Sequence, residues 1–215
     1  MSTRIRIRRT AVVLAATAVL PLALSACSDG SGDSAKSSAS ATSTSQDGMT
    51  GSAAASADQP FGTGCAAVPK SGSGSFDGMA QDPVATAASN NPALSTLVAA
   101  VKKAGLVDTL NNAQNITVFA PTNDAFAKIP KATLDKVLND KAQLTKILTY
   151  HVVGKQLTPT DLEKGSFDTL EKSKLTTAGS GESYTVNDSA KVVCGNVKTA
   201  NATVYIIDTV LMPTS

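Results

Sequence analysis

The stretch "TVFAPTNDAF", residues 117–126, decides the fold because a strand ends and a helix begins within it. Its apolar half predicts a strand, which ends at Pro121 because proline cannot donate to a sheet ladder. Thr122 then suits the N-cap of a helix, and the Asp124 carboxylate in the first turn interacts favourably with the helix dipole. Ile129 follows Phe126 at the spacing of one buried helix face. We therefore assign structural roles to four residues of this corner: Thr122, Asn123, Asp124 and Phe126.

Residues 1–26 have the pattern of a lipoprotein signal peptide. Four arginines precede an apolar run, residues 11–23, that is too short to span a bilayer comfortably. The run closes with "LSAC", in which small side chains fit a signal peptidase and the Cys27 thiol accepts a diacylglycerol. We predict lipidation at Cys27, a membrane anchor on the extracytoplasmic face, and an additional released form. An ordinary secretory cleavage site is the alternative, and Arg8-Arg9 leaves the twin-arginine export route open beside the general one.

The net charge excludes one class of partner. The chain has 19 basic and 17 acidic side chains, and four of the basic ones are leader arginines. The remaining 15 basic and 17 acidic side chains give a net charge of about −2. Nucleic-acid binding needs a basic patch or a recognisable motif, and the sequence has neither. We therefore predict no nucleic-acid partner.

Residues 27–63 are rich in Ser, Ala and Gly and carry almost no large apolar side chain. Such a segment cannot offset its ordering entropy, so we predict a disordered tether. A flexible coil of about 37 residues has a root-mean-square span of roughly 30–37 Å. This tether would hold a folded domain away from the lipid anchor, and whether it is glycosylated stays open.

Residues 64–215 are long enough for one domain, whose core must come from Val, Leu, Ile and Ala because the chain lacks Trp. Cys65 and Cys194 remain as an even pair in an exported protein, where disulfides form. Their pairing would close a loop of about 130 residues and stabilise the fold by roughly 4–5 kcal/mol. A metal site or a redox pair is the alternative, but the chain has no CxxC and a single histidine. We expect no metal ion and no cofactor.

The pattern along this domain predicts helices first and strands later. Asn91-Pro92 opens a helix with a cap and a proline, and Gly105 ends it. Two more amphipathic stretches cover residues 134–138 and 144–148, and short alternating segments after Pro159 predict strands and hairpins. The last segment is apolar on both faces, which is typical of a central strand. One face carries Val204, Ile206 and Val210, and the other carries Tyr205, Ile207 and Leu211. This order of elements favours an α+β fold.

Three motifs resemble the signatures of one family. They are "TVFAPTNDAFAKIP" at 117–130, "LTYHVV" at 148–153 and "ATVYIIDTVLMP" at 202–213. In order and spacing they resemble the fasciclin (FAS1) domain, and the resemblance covers the chain from about Met79 to Pro213. "GCAAV" at 64–68 and "MAQDPVATAASNNPAL" at 79–94 resemble the secreted and lipid-anchored fasciclin antigens of mycobacteria.

The resemblance implies a single wedge-like α+β domain with two small sheets and several helices. It also implies that Cys65 and Cys194 pair. In animal relatives the regions that match Tyr150-His151 and Asp208 are implicated in integrin binding, so these three residues are the candidate partner-binding residues. Structural roles are the alternative: a part-buried His151 would fix the helix-to-strand junction by hydrogen bonds, and Asp208, inside the last apolar strand, would be hydrogen-bonded or lie at a bend. Many family members have a histidine in the closing motif where this chain has Tyr205.

Two functions of different classes follow. The first is a non-catalytic surface lipoprotein, a monomer, whose domain mediates adhesion to an extracellular protein or glycan. The alternative is a lipoprotein that binds a small ligand or a cell-wall component, which would need an apolar pocket between the early helices and the sheet. An enzyme is not expected, because His151 has no nucleophile at a recognisable spacing.

Overall fold

The structure, a computed structural model, describes residues 59–213. The predicted signal peptide, the lipidation site at Cys27 and almost all of the predicted tether lie outside the described residues. Within the described range, none of the helices has the length and apolar character needed to cross a bilayer.

The described chain forms eight α-helices, and local sequence signals fix several of their ends. Asn91 Oδ1 accepts a hydrogen bond from the Ala93 N–H and opens a 3₁₀ turn at Pro92–Leu94, which leads into the third helix. Gly105 ends that helix in the left-handed conformation at φ 77°, as predicted. The helices are α1 (Phe76–Gln81), α2 (Val84–Ser89), α3 (Ser95–Ala104), α4 (Val107–Asn112), α5 (Asn123–Ala127), α6 (Lys131–Asn139), α7 (Lys141–Tyr150) and α8 (Pro159–Leu162).

Seven strands form one hydrogen-bonded order, β2-β1-β7-β6-β5-β4-β3. β1 and β7 pair in parallel, and the other neighbouring strands pair antiparallel. The last strand therefore lies between the first strand and β6, which confirms its predicted central position. The strands are β1 (Ile116–Pro121), β2 (Val152–Val153), β3 (Lys164–Asp168), β4 (Lys174–Ser180), β5 (Ser183–Val186), β6 (Ala190–Lys198) and β7 (Ala202–Ile207).

β6 joins the two expected sheets. Its first residues pair with β5, whereas the residues from Val192 to Lys198 pair with β7. The register shifts on both sides of Cys194, and such irregularities bend a strand. Leu170 N–H donates to Val152 O at 2.8 Å, which ties the loop after β3 to β2. The two ends of the strand order are thereby brought together, so the sheet is nearly closed.

Two apolar clusters lie on the two faces of this sheet. The helix-side cluster contains Val204, Ile206 and Val210 together with the buried faces of α2, α3 and α7. The second cluster lies on the opposite face and contains Tyr205, Ile207 and Leu211. The two-faced alternation predicted for the last strand is therefore confirmed.

The last strand is shorter than its apolar pattern indicates. β7 ends at Ile207, so the prediction that Asp208 lies inside the strand is wrong. Val210 and Leu211 are buried beyond the end of the ladder, on opposite faces, because the extended chain continues to alternate. We call residues 208–213 the closing segment.

The packed region begins before the predicted boundary at Gly64. Phe61 is 5% exposed, and it exchanges backbone hydrogen bonds with Gly195 in β6. The Phe61 ring lies directly against Gly195, where a Cβ atom would collide with it. The predicted disulfide between Cys65 and Cys194 is present and joins positions 129 apart in sequence. The start of the domain is therefore fixed to β6 both covalently and by packing.

Candidate functional site

The Asn123-Asp124 pair has a structural explanation. Thr122 Oγ1 accepts from the Ala125 N–H at 3.2 Å and caps α5, as predicted. Asn123 Oδ1 accepts from the Thr96 N–H at 2.9 Å, and its Nδ2 donates to Pro92 O at 2.9 Å. Asn123 thus holds the start of α3, a contact that local sequence reasoning missed because its partner is 27 residues away. Asp124 is exposed in the first turn of α5, and Phe126 is buried.

His151 is a buried side chain that connects helix α7 to the closing segment by hydrogen bonds. It is 2% exposed, and its Nδ1 lies 2.8 Å from Ile147 O one turn earlier. Its Nε2 accepts from the Leu211 N–H at 3.0 Å. These partners require a neutral ring with the proton on Nδ1. Desolvation by burial lowers the pKa of His151 to about 4, although the hydrogen bond to Ile147 acts in the opposite direction.

Tyr150 is equally buried, at 2% exposure. Its hydroxyl donates to Lys174 O at 3.0 Å and accepts from Asn187 Nδ2 at 2.8 Å. Tyr150 thus connects the end of α7 to β4 and to the turn after β5. Neither Tyr150 nor His151 offers an exposed ring, so a direct partner contact by these two side chains does not fit their burial.

Asp208 is the one accessible member of the predicted trio, with 32% of its side chain exposed. Its Oδ1 accepts from the Lys191 N–H at 2.9 Å, and its Oδ2 forms an ion pair with Lys128 Nζ at 3.2 Å. Desolvation alone would raise the pKa of Asp208. The hydrogen bonds from Lys191, Thr209 and Lys128 outweigh that effect, and the pKa lies below its ordinary value.

The three predicted residues meet at the closing segment. His151 binds its backbone at Leu211, Asp208 begins it, and Tyr150 lines an open groove beside Leu211 and Met212. Lys128, which the sequence did not single out, donates to Asp208 O at 2.7 Å and connects the segment to α5. The outer side of the segment presents Asp208, Thr209 and Met212, and Met212 is 42% exposed. His151 therefore holds the segment from its inner side, and part of the outer side is exposed.

This arrangement offers no recognisable catalytic chemistry. Both ring nitrogens of His151 are engaged with backbone groups, so the ring cannot serve as a general base in this state. Among residues 59–213 no three His, Cys, Asp or Glu side chains cluster as metal ligands. Tyr205 is fully buried, and its hydroxyl donates to Leu157 O at 3.0 Å, a structural role.

The domain is α+β: a nearly closed mixed sheet packs against helices, and a buried histidine holds the segment after β7. The family model for the fasciclin domain matches residues 92–213. The chain belongs to the fasciclin family.

Two curated relatives are similar over most of the chain. The immunogenic protein MPB70 of Mycobacterium bovis is 51% identical over 167 residues, which cover 74% of this chain and 85% of that protein. The cell surface glycolipoprotein MPT83 of Mycobacterium tuberculosis is 53% identical over 161 residues, which cover 71% and 72% of the two chains.

A solved structure shares the fold. The domain pair from the insect cell adhesion molecule Fasciclin I superimposes with a TM-score of 0.52 at 22% identity. The match covers 63% of this chain and 52% of that one, so the chain spans about half the length of the pair. At this identity the likeness concerns the fold alone.

Proposed function

We propose that this chain is a non-catalytic cell-surface lipoprotein whose fasciclin domain mediates adhesion. In this proposal Cys27 carries the lipid, residues 27–63 form the tether, and the domain acts as a monomer. The closing segment contacts an extracellular protein or a glycan.

One observation carries the proposal. Three residues chosen from sequence, Tyr150, His151 and Asp208, meet at the same short segment. Tyr150 and His151 are buried, and His151 binds the inner side of the segment at the Leu211 N–H. Its outer side carries a carboxylate at Asp208, a hydroxyl at Thr209 and an apolar anchor at Met212. A preorganised segment with mixed polar and apolar groups suits recognition because little flexibility is lost on binding.

The relatives support the location. MPT83 is named a cell surface glycolipoprotein, and MPB70 is named an immunogenic protein. The solved pair comes from a protein named a cell adhesion molecule. These names agree with the leader pattern of residues 1–26 and with a role outside the cytoplasm.

The test is a direct binding measurement. Full-length protein is immobilised through its lipid on vesicles and exposed to a protein fraction and a polysaccharide fraction from cell envelopes. The proposal predicts saturable binding to one fraction, lost after protease treatment if the partner is a protein and after periodate treatment if it is a glycan. Absence of saturable binding to both fractions would contradict an adhesive role.

A further inference from the structure

A small apolar void lies between the helices and the sheet, where the small-ligand alternative requires a pocket. Its volume is about 50 Å³, and its walls come from α2, α3 and α4 on one side and β1 and β7 on the other. The wall is almost entirely carbon, as shown by Ala87, Leu97, Val101, Leu110, Val118 and Val204. A void of this composition favours an apolar guest over water.

The polar side chains in this wall are already engaged, with one exception. Ser89 Oγ donates to Ala85 O, Thr199 Oγ1 donates to Ala202 O, and His151 Nδ1 faces Ile147 O. Asn91 is 1% exposed, and its Nδ2 has no hydrogen-bond partner among the described residues. A buried donor without an acceptor is destabilising and uncommon in native proteins.

The orientation of the Asn91 amide is fixed by its other atom. Asn91 Oδ1 accepts from the Ala93 N–H at 3.0 Å. Exchanging the amide nitrogen and oxygen would place two donors against each other, so the unpaired group is the N–H donor. An acceptor oxygen from another molecule would satisfy it.

One end of the void lies near the protein surface, and the other end is buried. At the C-terminal end of α2 its wall reaches the surface, where Ser89 is exposed and Ala88 and Val98 are half-buried. Asn91 follows Ser89 by two residues, so the unpaired donor belongs to the same end. The opposite walls, formed by Leu110 and the two strands, are buried and apolar.

We infer that this void is the inner end of a binding site for a single alkyl chain that carries one acceptor oxygen. The chain end fills the carbon-lined space, and an alcohol, carbonyl or ester oxygen accepts from Asn91 Nδ2. Because a water-sized group needs roughly 10–15 Å³ of such space, the void holds about three to five carbons, and the rest of the chain lies in the opening beside Ala88. His151 borders both this void and the closing segment, but the binding of an alkyl chain here does not depend on the adhesive role.

The test uses 1-hexanol and n-hexane as probes and methyl NMR as the readout. The full-length chain carries Cys27→Ser so that no attached lipid competes. We expect saturable shifts of the Val and Leu methyl groups in the wall. Ala88→Leu, which narrows the opening, should lower the affinity for both probes at least about tenfold. Ala127→Leu, on the exposed face of α5, should change neither affinity. Ala88→Val replaces Ala88→Leu if the larger side chain prevents folding.

The polar half of the site is tested by Asn91→Ser, which keeps a capping oxygen for Ala93 and removes the amide donor. This variant should bind 1-hexanol about fivefold more weakly, which is the effect expected from the loss of one hydrogen bond, and should bind n-hexane with unchanged affinity. Equal affinity in Ala88→Leu, or shifts confined to exposed side chains such as Leu170 and Met212, would overturn the inference. So would the absence of any saturable shift.

Discussion

His151 Nε2 accepts a hydrogen bond from the backbone N–H of Leu211 at 3.0 Å, across 60 residues of chain. The same ring faces Ile147 O through Nδ1, so one neutral imidazole joins the end of α7 to the closing segment. Protonation would turn Nε2 into a donor that faces another donor. The His151 ring therefore fixes the inner side of the closing segment.

The burial of His151 predicts a pH dependence of stability. Its pKa is lowered from 6.5 to about 4, so the unfolded chain binds the proton more tightly than the folded one. The contribution of neutral His151 to the free energy of unfolding is therefore fully present above pH 6.5. It is lost as the pH drops towards 4, and the total loss is roughly 3 kcal/mol. Urea unfolding at pH 7.5, 6, 5 and 4.2 measures this loss.

His151→Gln is the control for that prediction, because its amide oxygen can accept from the Leu211 N–H without titrating in this range. The variant should lose the slope between pH 6.5 and 4. An unchanged slope in the variant would assign the pH dependence to other groups. Asp208 has a lowered pKa, so its contribution is lost only at more acidic pH.

Substitution of Asn123 should lower the free energy of unfolding much more than substitution of the adjacent Asp124. Asn123→Ala removes the acceptor for the Thr96 N–H and the donor to Pro92 O, and we expect it to lower the free energy of unfolding by about 2 kcal/mol. Asp124→Ala removes only an exposed first-turn carboxylate and should cost about 0.5 kcal/mol or less. Chemical unfolding of both variants measures the difference, and equal effects would contradict the assigned contacts.

Asn201 should be the most sensitive position in the turn before β7. Its Oδ1 accepts from the Val84 N–H, and its Nδ2 donates to Leu110 O and Ala113 O, so one buried amide connects α2 and α4 to the sheet. Asn201→Ala should destabilise the fold by about 2–4 kcal/mol because these backbone groups lose their partner. Asn112→Ala, at an exposed position at the end of α4, provides the comparison. A loss no larger than that of Asn112→Ala would contradict this role.

The disulfide should carry a large share of the stability. It joins Cys65 to Cys194 across 129 residues, and the chain-entropy relation gives roughly 4–5 kcal/mol for a loop of that length. Cys65→Ala with Cys194→Ala should lower the free energy of unfolding accordingly, and reduction of the parent chain should have a similar effect. A change below about 1 kcal/mol in both measurements would contradict this estimate.

Local signals made much of the fold predictable. The cap at Thr122, the stop at Gly105 and the two-faced alternation around Tyr205 each depend on neighbouring residues, and the structure contains all three. The end of β7 was not predictable, because Val210 and Leu211 continue the alternation without ladder hydrogen bonds. In that part of the chain an apolar pattern reports burial rather than pairing.

The candidate site was predictable only in part. The hydrogen bond between Asn123 and Thr96 and the one between Lys128 and Asp208 join positions far apart in the chain. No local sequence pattern predicts such contacts. A structural role for His151 at the helix-to-strand junction was predictable, but its full burial was not, because a single histidine has no periodicity. The sequence motifs therefore indicated residues that meet at the closing segment, but not which of them are accessible.

The central claim is that the outer side of the closing segment contacts the partner. Two double variants of similar chemistry test it on the full-length chain: Asp208→Asn with Met212→Ser, and Asp168→Asn with Leu170→Ser. Both pairs combine a carboxylate that faces a lysine with a large apolar side chain about 40% exposed. Binding of each folded variant to the envelope fraction is measured by titration. The account predicts at least about a tenfold loss of affinity for the first variant and none for the second. Undiminished binding by the first variant would contradict it.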